Sequence, residues 1–216
     1  MFIDLNKERF IMLIKTFNTG ILQVNTYLII DEDSKEAIII DLGGDFEILS
    51  EEIKKNNAKL KFILNTHGHF DHIMGESNPN INVPIMMHED DEHHAENISE
   101  YMKKWELPPA ETPIKITEFI NENSNLTIGN KQIKIFHTPG HTRGGLCFLI
   151  ENNLFSGDTL FWGTIGRTDL ADGNYELLVS SIKNKLMPLD DSITVYPGHG
   201  DPTSIGFERK NNEFLK

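Results

Sequence analysis

The chain carries little cysteine: one, Cys147, among 216 residues. A lone thiol excludes an intramolecular disulfide and any zinc site built on several thiolates, which leaves histidine and carboxylate as the metal-binding chemistry available. Positive charge is also short, with 20 Lys and Arg against 33 Asp and Glu and a formal net charge of −13. Such a chain is repelled by phosphate backbones and anionic bilayers, which argues against nucleic-acid and membrane partners. Apolar runs such as residues 27–30 and 37–40 fall far below the ~20 residues that span a bilayer. The opening Met1-Phe-Ile-Asp-Leu-Asn-Lys-Glu-Arg has no basic flank, apolar stretch or small-residue cleavage site, so the expected location is the cytoplasm. Met12 could itself be a start, which makes residues 1–11 a candidate N-terminal extension.

What is present suits one folded domain over residues 1–216, with 38% hydrophobic residues and 13 Phe. Residues 12–17 alternate apolar and polar as a half-buried strand does. Residues 26–30 and 36–41, joined by an acidic turn, predict a hairpin. Phe46, Leu49 and Ile53 recur at helical spacing, predicting an amphipathic helix over 45–57 with Asp45 as its N-cap. Residues 61–65 read as a buried strand, and the alternation of strand and helix through residue 90 indicates an α/β arrangement. Strands at 126–128, 132–136, 145–150, 153–156 and 193–196, with a helix over 175–186, give a second strand-rich half, and two such halves predict a sandwich.

The chemistry concentrates in Thr66-His67-Gly68-His69-Phe70-Asp71-His72, directly after a strand. His67 and His69, two residues apart on extended backbone, face one way, and Asp71 and His72 reach a second point nearby. His141, Asp158 and His199 each follow a strand as well, so all four groups can meet on one rim beyond the strands' carboxyl ends. Five histidines and two aspartates exceed the needs of one tetrahedral ion. The expected partition gives His67, His69 and His141 to one divalent cation and Asp71, His72 and His199 to another, with Asp158 between them. Imidazole with carboxylate suits zinc first, with iron and manganese also accepted. His88, His93 and His94 lie in an acidic stretch that reads as a solvated helix face, and Cys147 reads as a buried strand residue.

This constellation resembles the metallo-β-lactamase superfamily, which implies a four-layer αββα sandwich with a dinuclear site on one edge. The stretches Ser156-Gly-Asp-Thr-Leu-Phe-Trp-Gly-Thr-Ile-Gly-Arg-Thr-Asp-Leu and Tyr196-Pro-Gly-His-Gly-Asp-Pro-Thr-Ser-Ile-Gly-Phe-Glu are similar to the short bacterial glyoxalase II-like hydrolases. That likeness implies hydrolysis of a small-molecule thioester, such as a hydroxyacylglutathione, by water activated between two ions, with Asp71 and Asp158 as ligands that also orient the water. Lactamases of the best-known zinc class carry cysteine where Asp158 stands, which disfavours that branch. Gly166-Arg-Thr-Asp is also similar to a segment of persulfide dioxygenases, which hold one iron through two His and one Asp. A mononuclear-iron dioxygenase is therefore the alternative, with a lactonase or other ester hydrolase as a further one. Only 17 residues follow His199, so the helical glutathione-holding domain of the longer relatives is expected to be missing or rebuilt. Arg167, Asp169, Arg143 and His137 are candidates for substrate contact or for orienting the ligands, as are Thr138 and Thr142 by proximity.

Overall fold

Successive residues of a strand face opposite sides of its sheet, so a strand apolar at every position needs cover on both. A computed structural model describes residues 12–110 and 112–216, and the candidate extension at 1–11 lies outside the described residues. The first sheet runs in sequence order: β1 (Met12–Thr19), β2 (Val24–Asp31), β3 (Glu36–Ile40), β4 (Lys59–Leu64), β5 (Ile85–Met87) and β6 (Glu118–Phe119). β2 is buried along its whole length. Its Tyr27 and Ile29 join Ile38, Ile40, Phe62 and Leu64 on the inner face, whereas Leu28 and Ile30 join Ala37, Ile39 and Ile63 on the outer.

α1 (Phe46–Lys55) covers that outer face with Phe46, Leu49 and Ile53, the three residues whose spacing announced it. Glu47 in its first turn and Lys54 and Lys55 in its last complement the helix dipole. Asp45 is not the expected cap. It sits in the left-handed region at φ 55°, not the extended conformation a capping side chain needs, and its carboxylate instead accepts from the Gly20 N–H at 3.3 Å. Three short helices, α2 (Phe70–Ile73), α3 (Glu92–Glu96) and α4 (Ile98–Lys104), pack beside the same sheet through Phe70, Ile73, Ala95, Ile98 and Met102 around Met87.

The second sheet comprises β7 (Leu126–Ile128), β8 (Lys131–His137), β9 (Leu146–Ile150) and β10 (Asn153–Gly157). A two-stranded ribbon, β11 (Leu160–Phe161) and β12 (Thr164–Ile165), follows before the chain returns as β13 (Thr194–Pro197) and β14 (Thr203–Ser204), in spatial order β14-β13-β10-β9-β8-β7. Ile133, Ile135, Leu146, Phe148, Ile150 and Phe155 face the first sheet and share its inner core. Truncating fully buried Phe148 to Ala would cost about 3–5 kcal/mol. On the outer face Cys147, Leu154 and Val195 lie under α5 (Tyr175–Ser181), its π-helical continuation Ile182–Leu186, and α6 (Ile205–Asn211). The result is the expected αββα sandwich. Among the described residues no helix is long and apolar enough to cross a membrane.

Strand direction then positions the site. β3 and β4 are parallel, as are β10 and β13, and β9 runs antiparallel to both β8 and β10. The carboxyl ends of β3, β4, β8, β10 and β13 therefore open on one rim. There the sheets are tied: the Leu146 N–H donates to the Thr66 carbonyl at 2.7 Å, and the Asn25 N–H to the Gly198 carbonyl at 2.7 Å. Gly157, at φ +49°, approaches Thr66 so closely that a Cβ would fall 2.2 Å from its Oγ1, so no larger residue fits.

Candidate metal centre

The loop leaving β4 delivers His67 and His69, and α2 turns Asp71 and His72 back toward them. His141 comes from the loop after β8, Asp158 from the residue after β10, and His199 from the loop after β13. All seven expected donors converge. His67, His69 and His141 form one group, Asp71, His72 and His199 a second, and His67, His72 and Asp158 a third, with donor atoms in each within 4.8 Å of one another. Asp158 stands between the groups, its Oδ1 3.4 Å from His72 Nε2 and its Oδ2 3.6 Å from His141 Nε2.

Hydrogen bonds fix which ring nitrogens are free. Thr66 Oγ1 spends its proton on Asp41 Oδ2 at 2.7 Å, so it accepts from His67 Nδ1 at 3.1 Å and leaves a lone pair on His67 Nε2. His141 Nδ1 donates to the Arg167 carbonyl at 2.7 Å, which leaves a lone pair on His141 Nε2. Both Nε2 atoms face His69 Nδ1, at 3.1 and 2.9 Å. Neutral His69 has at most one proton to give there, so at least one of the two Nε2 lone pairs is left without a donor of its own unless a cation lies between. A tetrahedral ion with bonds of about 2.0–2.1 Å separates its ligands by roughly 3.3 Å, close to these spacings.

The second group shows the same want of a cation. His72 Nδ1 donates to Asp41 Oδ2 at 3.0 Å, while its buried Nε2 and the buried Asp158 Oδ1 have no hydrogen-bond partner. His199 Nε2 lies 3.2 Å from Asp71 Oδ2. Gly198 keeps this space open, because a Cβ there would lie 2.3 Å from Asp158 Oδ1 and 2.6 Å from the His72 ring. Burial opposes charge on His72, yet the carboxylates of Asp158, Asp41 and Asp71 raise it well above the usual imidazole range. Burial likewise opposes the Asp158 carboxylate, yet His72, His141 and His199 hold it below the usual carboxylate range. Burial and the neighbouring His141 and His94 pull His69 down to about 3, the neutral form a metal requires. The donor set fits divalent cations.

Two buried carboxylates that sequence reasoning missed organise these loops. Asp41, at the end of β3, accepts from the Thr66 N–H and hydroxyl and from His72 Nδ1, setting the orientation of His72 and, through Thr66, of His67. Asp91, wholly buried, accepts from the Gly68 N–H at 2.9 Å, the Thr142 hydroxyl at 2.8 Å and the Gly144 N–H at 2.7 Å. It joins the loop of His67 and His69 to the loop of His141. The acidic stretch that holds it is solvated only in part: Glu89 and Asp90 are exposed and His93 is partly open, whereas His88, Asp91 and His94 are buried.

The side chains of the remaining candidates make no hydrogen bond to the seven donors. Thr138 bonds Thr159 and Cys147, Thr142 reaches Asp91, and neither orients an imidazole. His137 stacks on His88 and donates from Nε2 to the Arg143 carbonyl, bracing the His141 loop. Arg143 pairs with Asp172 at 3.0 Å, and Arg167 with Asp169 through two bonds of 2.9 and 2.8 Å on the surface. It is the Arg167 carbonyl, not its guanidinium, that meets His141. Cys147 is fully buried in β9, and burial pushes its thiol up to about 11, which makes it unreactive.

The chain matches the metallo-beta-lactamase superfamily over residues 19–199 and belongs to it. Among its relatives is the hydroxyacylglutathione hydrolase GloC of Haemophilus influenzae, 39% identical over 198 residues that cover 89% of this chain and 93% of the relative. The crystal structure of the BLEG-1 B3 metallo-beta-lactamase superposes with a TM-score of 0.85 at 36% identity, covering 94% of this chain and all of that one, 100%. TTHA1623, solved in a di-iron-bound form, superposes with a TM-score of 0.82 at 30% identity over 93% of this chain and 100% of its own.

Proposed function

We propose that this chain is a hydrolase of small thioesters such as a hydroxyacylglutathione, with two divalent cations held by His67, His69 and His141 and by Asp71, His72 and His199, and with Asp158 shared. The observation that carries this reading is the set of undersupplied ring nitrogens and unpartnered buried atoms in two adjoining groups. Zinc suits the donors, and the di-iron form of TTHA1623 supports iron as an occupant of a similar centre. Cations bound there would supply a water acidic enough to ionise near neutral pH and would polarise a carbonyl, so the chain needs no nucleophilic side chain.

The chain's own residues hold and orient. Asp71 and Asp158, both held below the usual carboxylate range, stay ionised and present acceptor oxygens that align the attacking water and receive its proton. Asp41, Thr66 and the Arg167 carbonyl keep His72, His67 and His141 in one orientation, so little rearrangement accompanies the reaction. Arg143 and Arg167 flank His141 with exposed guanidiniums, each paired with an aspartate that an anionic thiol carrier would have to displace or share.

The test is hydrolysis of S-lactoylglutathione by the purified chain, repeated after chelation and after reloading with zinc or iron. Metal-dependent loss of the thioester is expected, and a fully loaded protein without turnover would contradict the reading. The likeness to a B3 metallo-beta-lactamase favours a second reading in which the carbonyl belongs to a lactam, so nitrocefin is assayed in parallel.

A further inference from the structure

We infer that His93, His94 and Asp172 form a further cation site, separate from the centre described above, that takes a divalent transition-metal ion such as zinc. Two adjacent histidines on α3 meet an aspartate from the loop between β12 and α5. His93 Nε2 lies 3.0 Å and His94 Nε2 3.2 Å from the same oxygen, Asp172 Oδ2, and the three donor atoms fall within 4.8 Å of one another. Those separations are near the roughly 3.3 Å edge expected for ligands of a tetrahedral ion.

A hydrogen-bonded cluster alone leaves one atom unexplained. His93 Nε2 does hydrogen-bond to Asp172, but the buried His94 Nε2, 3.2 Å from the same oxygen, is not aligned to do so and has no partner. An ion at the point where the two rings and the carboxylate converge would satisfy it. The surroundings hold the ligands in place. Arg143 Nε binds the other oxygen, Asp172 Oδ1, at 3.0 Å and so turns Oδ2 toward the rings. Tyr101 Oη lies 3.3 Å from His94 Nδ1, and the His94 ring is packed against Gly68, where a Cβ would come within 3.0 Å of it.

Two imidazoles and one carboxylate make a three-ligand set that leaves a position for water, a set suited to zinc, nickel or copper ahead of magnesium or calcium. The half-exposed His93 provides the entry from solvent, whereas His94 is buried and Asp172 only partly open. The guanidinium of Arg143 lowers affinity at this site relative to the rim centre, which has no arginine among its donors. The ion therefore binds after the rim centre has filled.

The test is zinc uptake by equilibrium dialysis of the metal-loaded protein, with metal analysis, for the wild type, His93→Ala and Asp172→Asn. The wild type is expected to take up one zinc per chain more than either variant at high zinc, with the tightly held ions equal in wild type and His93→Ala. His93→Gln serves if the alanine variant does not fold. Equal uptake by all proteins, or a wild type that takes up nothing beyond the tightly held ions, would overturn the inference. An error about the rim centre would change the tightly held count alike in every protein and leave this difference intact.

Discussion

His72 shows how single atoms set the chemistry of the rim. Its Nδ1 is committed to Asp41 and its Nε2 points, unpartnered, at Asp71 and Asp158. Asp41→Asn keeps the shape but loses a charged acceptor, so metal affinity should fall about 10–100-fold, measured by competition with a chromogenic chelator. Unchanged affinity would show that Asp41 serves only to hold the Thr66 backbone. Removing a donor acts more severely: His69→Ala and Asp158→Ala should each lose metal and hydrolysis together, read by metal analysis and turnover on the same sample. Full metal content in either variant would break the donor assignment at that position.

At the scale of elements, the rim is a set of loops joined by buried carboxylates and caps. Asp91→Ala strips the acceptor from the Gly68 and Gly144 N–H groups and the Thr142 hydroxyl, each worth about 1–3 kcal/mol when left buried and unpaired. A loss of about 3 kcal/mol or more is expected in urea unfolding of the metal-loaded protein, with weaker metal retention because two ligand loops separate. Asn174 caps α5 by accepting from the Leu177 N–H, and its own N–H donates to the Gly140 carbonyl beside His141. The strands, α1 and the meeting of the seven expected donors were legible because each rests on a local pattern: alternation, a three-and-four spacing, or histidines crowded after a strand. Asp41, Asp91 and His94 were not, because their partners come from distant segments and nothing in their own neighbourhood marks them. Asp45 misled for the related reason that its backbone is left-handed and its carboxylate accepts from the distant Gly20 N–H, which turns a good capping residue away from its helix.

The described chain is two main sheets with one shared inner core, and its stability carries a buried charge problem behind the rim, where Glu76 lies near Asn65 and Asp41. Burial pushes Glu76 well above its ordinary value of 4.5, against a smaller lowering by nearby Asn65, and neither of its oxygens makes a well-aligned hydrogen bond. The folded chain thus keeps a proton that the unfolded chain releases, so stability is full below about pH 4.5 and falls as pH rises toward the folded-state value. Glu76→Gln should therefore raise the midpoint of thermal unfolding at pH 8 by more than at pH 4.5. An equal shift at both would mean that Glu76 is not protonated in the folded chain.

The proposed two-cation centre is tested most directly by titrating zinc into the chelated protein while following S-lactoylglutathione hydrolysis and oxygen together. Activity should climb to a plateau at two equivalents per chain, with no oxygen consumed. A plateau at one equivalent, turnover without metal, or iron-dependent oxygen uptake on a persulfide in place of hydrolysis would contradict it.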